Sequence, residues 1–424
     1  MLDIKFIREH PKEVKENIKK KFQEHKLKLV DEILSLDEQW RKNKYGLDNL
    51  RKERNLISEE INKAKKSKDE KKAKELIHKA KIIPEKIKKA EDETELLGKK
   101  IKELLLEIPN IISKETPVGK DASNNKEIKK IGKIRKDKIK NHVELLEELK
   151  LADFEKSAEV SGKGFYYIKK ELALLNQALI RFAIDYMKKK KYEYIETPLM
   201  LNEISIFASM NKEAIEESVY SINNEDLNLI GTSEQSLLAM HSNDVLKEDE
   251  LPKKYFSYSM CFRKEIGAHG INEKGLWRTH QFNKIEQFVF CKPEDSEKLY
   301  KELLNTSEEI LKALQLPYRV IEICSGDLGD WKYRSHDFEV FRPTIKEYGE
   351  VGSLSNCTDY QARKVNIKVI DKHGNRKIVH TLNNTVLATS RIMVAIIENL
   401  QTRNGIKIPK VLWKYTGFKE IKKS

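Results

Sequence analysis

The chain has 424 residues, 39% of them apolar and 35% charged, enough for two or three domains with at least one sizeable core. Its 82 Lys and Arg against 68 Asp and Glu leave a net charge of +14, which favours a polyanionic partner through counterion release; a merely lysine-rich, well-solvated surface is the competing reading. No run approaches the roughly 18 apolar residues of a membrane helix and Met1–Lys5 lacks a hydrophobic leader, so neither a membrane partner nor export is expected. The cysteines Cys261, Cys291, Cys324 and Cys357 form no closely spaced pair, which argues against a disulfide frame or zinc cluster and for reduced thiols in the cytoplasm.

After an amphipathic opening, Asp3 to Lys21, a heptad register runs through Ile33, Leu36, Trp40, Asn43, Leu47, Leu50, Arg54, Ile57, Ile61 and Ala64. A second runs through Ala73, Leu76, Ala80, Ile83, Ile87, Ala90, Thr94, Leu97, Ile101 and Leu104. Alternating steps of three and four over this length predict a coiled coil. Lys65–Lys72 between them holds no apolar residue, so the two helices should turn there and pack antiparallel as an arm over about residues 30–105. Such an arm would project on the order of 50 Å. Pro84 should kink its second helix and Pro109 should end it. A dimerisation rod and a basic lever for nucleic acid both remain open uses.

Residues 113–140, with Pro117, two glycines, Asn124-Asn125 and many lysines, read as a linker between a first domain, 1–112, and a second, 141–424. A long helix with an apolar stripe follows from Glu171 to Lys190, leading into a strand-like run, Tyr192–Pro198. Thr232 and Glu234 stand two apart, able to share a face on an extended segment or, as readily, to begin a helix as a capping pair.

The aromatic and β-branched stretches Tyr255–Glu265 and Leu276–Phe290 predict an antiparallel hairpin, joined by Ile266 to Gly275 with Gly267, Gly270 and Gly275 in the connection. By strand alternation, Arg263 and Glu265 should share one face, and Arg278, His280, Phe282, Lys284 and Glu286 one face of the partner. A solvated sheet face with Arg/Glu pairs is one reading. A nucleotide platform is the other, since guanidinium forks suit phosphate oxygens and an aromatic face suits a purine. Glu350 with the nearby hydroxyl of Ser353 offers hard oxygens suited to Mg²⁺, or a strand-end ion pair. His380–Arg391 should be a strand entering an apolar helix, with Thr389 and Ser390 as caps and Arg391 where a phosphate would be held.

Phe262-Arg-Lys-Glu265, Gly275-Leu-Trp-Arg-Thr-His-Gln-Phe282 and Glu286 resemble motif 2 of class II aminoacyl-tRNA synthetases, specifically the seryl family. The resemblance extends to Thr232-Ser233-Glu234, to Glu350–Arg363, to motif 1 over about 171–198 and to motif 3 over about 380–400, with motif 2 spanning about 255–290. It implies an α+β protein: an N-terminal antiparallel two-helix coiled-coil arm, then a class II catalytic domain built on an antiparallel sheet flanked by helices. It implies a homodimeric enzyme that activates L-serine with ATP and Mg²⁺ and passes the seryl group to tRNA(Ser), cradled by the arm, with tRNA(Sec) a further candidate acceptor; an inactive tRNA- or protein-binding paralogue is the alternative.

By the same resemblance ATP would be held by Arg263, Lys264, Glu265, Leu276, Trp277, Arg278, Thr279, Phe282, Glu350, Val351, Gly352, Ser353 and Arg391. Serine would be held by Thr232, Ser233, Glu234, Arg263, Glu286, Asn383 and Thr385, and the metal by Glu350 and Ser353. Arg263, Glu350 and Arg391 would carry the catalysis. Choosing serine needs a buried acceptor for its hydroxyl, expected in Glu286. Two departures stand out: Gly352, where the family often has Ser, and Asn383-Asn-Thr with Ala388-Thr-Ser, where bacterial members commonly have glycines around the motif 3 arginine.

Overall fold

The computed structural model describes residues 1–265 and 274–423; Gly267 and Gly270 of the expected hairpin connection lie outside them. The chain divides into two compact units, one of Leu2–Lys19 and Gln23–Pro109, the other of Met1, Lys20–Phe22 and the residues from Asn110 onward.

The first unit is helical. Helix α1 (Leu27–Lys66) and helix α2 (Glu70–Glu107) are 40 and 38 residues long, about 60 Å at the helical rise. Leu47, Ile57, Ala64, Ala73, Leu76, Ile83 and Ile87 form their buried seam, flanked by Leu50, Ile61, Ala80 and Ala90, which are the positions the heptads select. The turn is tight: residues 67–69 connect the helices, and Asp69 caps α2 by accepting a hydrogen bond from the Lys72 amide at 3.0 Å. Arg54, a polar position of the register, is exposed, while Arg51 pairs with Glu91 between the helices at 2.7 Å. α2 stays helical through Pro84. The amphipathic opening is two short helices, Ile4–Glu9 and Pro11–Lys20, tied to α1 by the Arg8 guanidinium on both oxygens of Asp37 at 2.8 and 2.9 Å.

The second unit is built on one eight-stranded sheet. Its strands in chain order are β1 (Lys126–Ile131), β2 (Glu193–Tyr194), β3 (Lys253–Phe262), β4 (Gln281–Cys291), β5 (Tyr318–Glu322), β6 (Arg334–Arg342), β7 (Glu347–Thr358) and β8 (His380–Ala388). They lie side by side as β1-β5-β6-β7-β8-β4-β3-β2. All neighbours are antiparallel except the edge pair β2/β3. Helices α3 (Lys170–Lys189), α5 (Ser296–Ala313) and α6 (Thr389–Asn399) flank it, and α4 (Ser233–Ala239) stands beside the hairpin β3/β4. Leu175, Leu179 and Phe182 of α3, Leu303 and Ile310 of α5 and Met393 and Ile396 of α6 bury themselves with Ile285, Val289, Phe338, Leu354 and Leu382 of the strands.

Residues 113–140 are not a linker. They supply edge strand β1, and the preceding segment is sewn to the body by Asn110 N–H on the Asp330 carbonyl at 2.7 Å and Ser113 N–H on the Tyr333 carbonyl at 2.8 Å. The lysines that suggested a loop are those that keep a sheet edge from pairing with other chains. All four cysteines are buried free thiols, and among the described residues no helix is long and apolar enough to cross a membrane.

Candidate active site

The hairpin organises the site, over a shorter length than its composition suggests. β3 ends at Phe262 and β4 begins only at Gln281, so Arg263, Glu265, Arg278 and His280 lie beyond the ladder and strand alternation does not govern them. Glu265 takes a left-handed backbone, φ +53°. Within β4 the alternation holds: Phe282, Lys284 and Glu286 face two adjoining cavities, while Ile285 and Val289 point into the main core. His280 is turned away, its Nδ1 2.9 Å from both the Tyr220 hydroxyl and the Arg263 carbonyl.

The first cavity gathers Arg263, Glu265, Trp277, Arg278, Thr279 and Phe282 from the hairpin, Glu350, Val351, Gly352 and Ser353 from β7, and Arg391 from α6. Three guanidinium groups distant in sequence therefore share one space. Arg391 donates to the Glu350 carbonyl at 2.9 Å, to its carboxylate at 3.0 Å and to the Trp277 carbonyl at 3.3 Å. The Trp277 ring lies 4.3 Å from the Arg342 guanidinium and 5.7 Å from that of Arg391, while Arg278 is hydrogen-bonded to Glu265. Arg263 lies 5.3 Å from the Phe282 ring centre.

Thr389 and Ser390 are not caps. The helix starts at Thr389 with no side-chain cap, and Ser390 and Arg391 of its first turn line the cavity, a setting that favours an anion.

Two of the expected residues line neither of the two cavities. Lys264 points elsewhere, into a separate surface depression beside Phe207 and Ile215. Leu276 is buried in the core, its amide on the Nε2 of His142 at 3.2 Å. Gly352 has a plain reason to be glycine: a Cβ there would meet the Thr385 Cβ at 3.1 Å.

The second cavity, about 310 Å³, is lined by Thr232, Glu234, Arg263, Glu286 and Asn383. Thr232 is indeed the N-cap of α4, accepting from the Glu234 amide at 3.2 Å. The cap aims Glu234 at Asn383, whose Nδ2 donates to its carboxylate at 2.9 Å, alongside Gln361 at 2.8 Å. Capping and ligand-binding readings thus coexist at one turn. Ser233 is buried away from the cavity, and Thr385 lines the first cavity rather than this one. Glu286 is buried, and burial pushes its carboxyl up to about 7 with Glu234 adding to the rise, although Lys284 and Arg263 pull the other way.

Sequence reasoning assigned no ligand role to Lys284, which lines both cavities, or to Met210, Ala214, Trp331 and Lys332, which line the second. Lys284 alternates with Phe282 and Glu286, and that was the available signal. Trp331 and Lys332 come from the turn before β6 and carried none.

Residues 1–112 match the Seryl-tRNA synthetase N-terminal domain, and residues 217–400 match the tRNA synthetase class II core domain (G, H, P, S and T). A serine–tRNA ligase of Methanocella arvoryzae is 44% identical over 98% of both chains. The chain belongs to the seryl-tRNA synthetase family. Another member, from Pyrococcus horikoshii, is 43% identical over 99% of this chain and 97% of its own. The crystal structure of the Pyrococcus horikoshii seryl-tRNA synthetase complexed with ATP superimposes with a TM-score of 0.94 at 42% identity, covering 100% of both chains. The cytoplasmic serine–tRNA ligase of Naegleria fowleri, solved in complex with AMP, gives 0.89 at 34% identity over 100% of this chain and 99% of that one.

Proposed function

We propose that the chain is a serine–tRNA ligase whose first cavity takes ATP and whose second takes L-serine. The observation that carries this reading is the continuity of the two cavities. Arg263, Lys284 and Ser353 line both, which is where the serine carboxylate and the α-phosphate have to meet. A carboxylate oxygen attacks the α-phosphorus, pyrophosphate leaves, and seryl-adenylate forms; a terminal ribose hydroxyl of the tRNA then attacks the acyl carbon and AMP leaves. Positioning and charge neutralisation dominate such a step.

Arg263 is suited to the α-phosphate and the serine carboxylate, Arg278 and Arg391 to the outer phosphates, Phe282 to the adenine face, and Glu265 to its amino edge. Thr232 and Glu234 would take the α-ammonium group, with Asn383 holding Glu234 in place, and Glu286 the hydroxyl.

Mg²⁺ fits Glu350 and Ser353, which present hard oxygens to the first cavity. Burial tends to raise the Glu350 carboxyl, but Arg391 and Arg263 outweigh it and hold the group below its usual range. Across the β6/β7 ladder from Ser353 stands Asp337, driven well up by burial and by the Glu350 charge, a conflict that a cation would relieve. Bound there, Mg²⁺ supplies charge neutralisation to the phosphates. The arm is suited to tRNA(Ser), the protein to homodimeric work in the cytoplasm.

An inactive paralogue is disfavoured because Arg263, Glu265, Glu350 and Arg391 remain together. Pyrophosphate exchange across the twenty amino acids, then charging of total tRNA, tests the proposal. Exchange with serine alone is expected; no exchange with any amino acid, or preference for another, would overturn it.

A further inference from the structure

We propose that Lys284 is the positioning residue that favours the carboxylate form of Glu286, so that the substrate hydroxyl more often meets a charged acceptor; the inference deepens the reading of the second cavity as the serine site. Lys284 and Glu286 stand two apart on one face of β4, with side chains only 8% and 1% exposed. The ammonium forms a close ion pair and hydrogen bond with Glu286 Oε2, and the carboxylate stands at the wall of the second cavity.

Two further charged groups act on Glu286, and Glu217 and Lys332 stand on the same cavity wall. Glu234 comes from α4 and repels it, while Arg263 comes from the end of β3 and attracts it. In the ladder its neighbours are the neutral Ser257 of β3 and Thr385 of β8. Arg263 already spends one donor on the Gly231 carbonyl, Nε to O at 3.2 Å, and has the Phe282 ring beside it. Lys284 is the cation in direct contact. Remove it, and burial and Glu234 act against ionisation, opposed by Arg263. A protonated Glu286 would offer the hydroxyl a neutral group, and the distinction between serine and alanine would weaken, because hydrogen bonds to charged acceptors are the stronger kind.

The test uses the full chain with Lys284→Met and Lys284→Arg. Serine KM and kcat are followed from pH 6 to 9 by pyrophosphate exchange at saturating ATP, and the Glu286 carboxyl is titrated by carbon NMR in the unliganded protein, assigned through Glu286→Gln. In Lys284→Met the carboxyl should titrate at higher pH than in the parent, and serine KM should exceed the parental value severalfold near neutrality, the ratio shrinking toward pH 9. Lys284→Arg should follow the parental pH profile. A raised KM with an unshifted profile would mean a merely structural role and overturn the inference, as would an unmoved titration midpoint in Lys284→Met. The NMR arm needs no serine activity, so a parent that fails to exchange with serine refutes the functional reading while the Lys284 inference is still decided. If Lys284→Met does not fold, Lys284→Gln serves in its place.

Discussion

Glu286→Gln gives the sharpest test of how the amino-acid cavity works, because its carboxyl is held near 7 in the empty protein, up from an ordinary 4.5. That difference corresponds to about 3 kcal/mol of folding stability. The sign follows from the raised value: the contribution is fully present below about 4.5 and lost as pH rises through about 7. Ligand binding has the opposite sense, since a hydroxyl donor prefers the carboxylate. With a titration midpoint of about 7, the ionised fraction is about 10/11 at pH 8 and about 1/11 at pH 6, so affinity at this site should be about tenfold weaker at pH 6. At pH 7 about half a proton should leave per ligand bound. Calorimetry with a non-reactive seryl-adenylate analogue, in buffers of different ionisation enthalpy, measures both quantities. In Glu286→Gln, about half a proton less should be released at pH 7 and the tenfold pH effect should vanish, with overall affinity about 5- to 30-fold lower from losing a charged acceptor. A variant that keeps the parental proton release and pH dependence would refute the reasoning.

Arg391→Gln removes the largest influence holding Glu350 down, so the acid limb of serine-dependent exchange should move to higher pH, together with at least a tenfold loss of kcat/KM for ATP; an unmoved acid limb would contradict the Arg391–Glu350 coupling. Gly349→Ala would place a Cβ 2.3 Å from the Trp277 ring. Overpacking of this kind costs about 1–3 kcal/mol, so the melting temperature should fall and the KM for ATP should rise while that for serine stays near the parental value. Shortening the arm between Leu47 and Ala90, where α1 and α2 pack on each other, should leave pyrophosphate exchange within about twofold while tRNA charging falls at least tenfold, a split that single-turnover assays of the two steps would reveal.

The apolar seam of the arm was legible in the sequence, since a heptad needs only the next turn of helix and its partner helix to be satisfied. The two cavities were legible as residues that come together, and less so as geometry. Alternation placed Phe282, Lys284 and Glu286 together because those residues are truly on a strand. It misplaced His280 and gave no warning that Lys264 faces another way, because the chain leaves the ladder after Phe262 and turns through the left-handed Glu265. Lys284 went unassigned for a different reason: a lysine beside a glutamate usually marks a solvated pair, and only the packing of β4 between β3 and β8 shows that this pair is dry. The edge strand β1 was hidden by the lysines that such an edge carries.

The two cavities overlap in only a few side chains, and this divides the protein into parts that can and cannot be altered separately. Arg263, Lys284 and Ser353 touch both chambers, so a change at any of them should disturb nucleotide and amino acid at once. Met210, Ala214 and Trp331 border the second chamber and not the first. Anyone wishing to widen the range of amino acids activated, while leaving nucleotide use intact, would begin with those three.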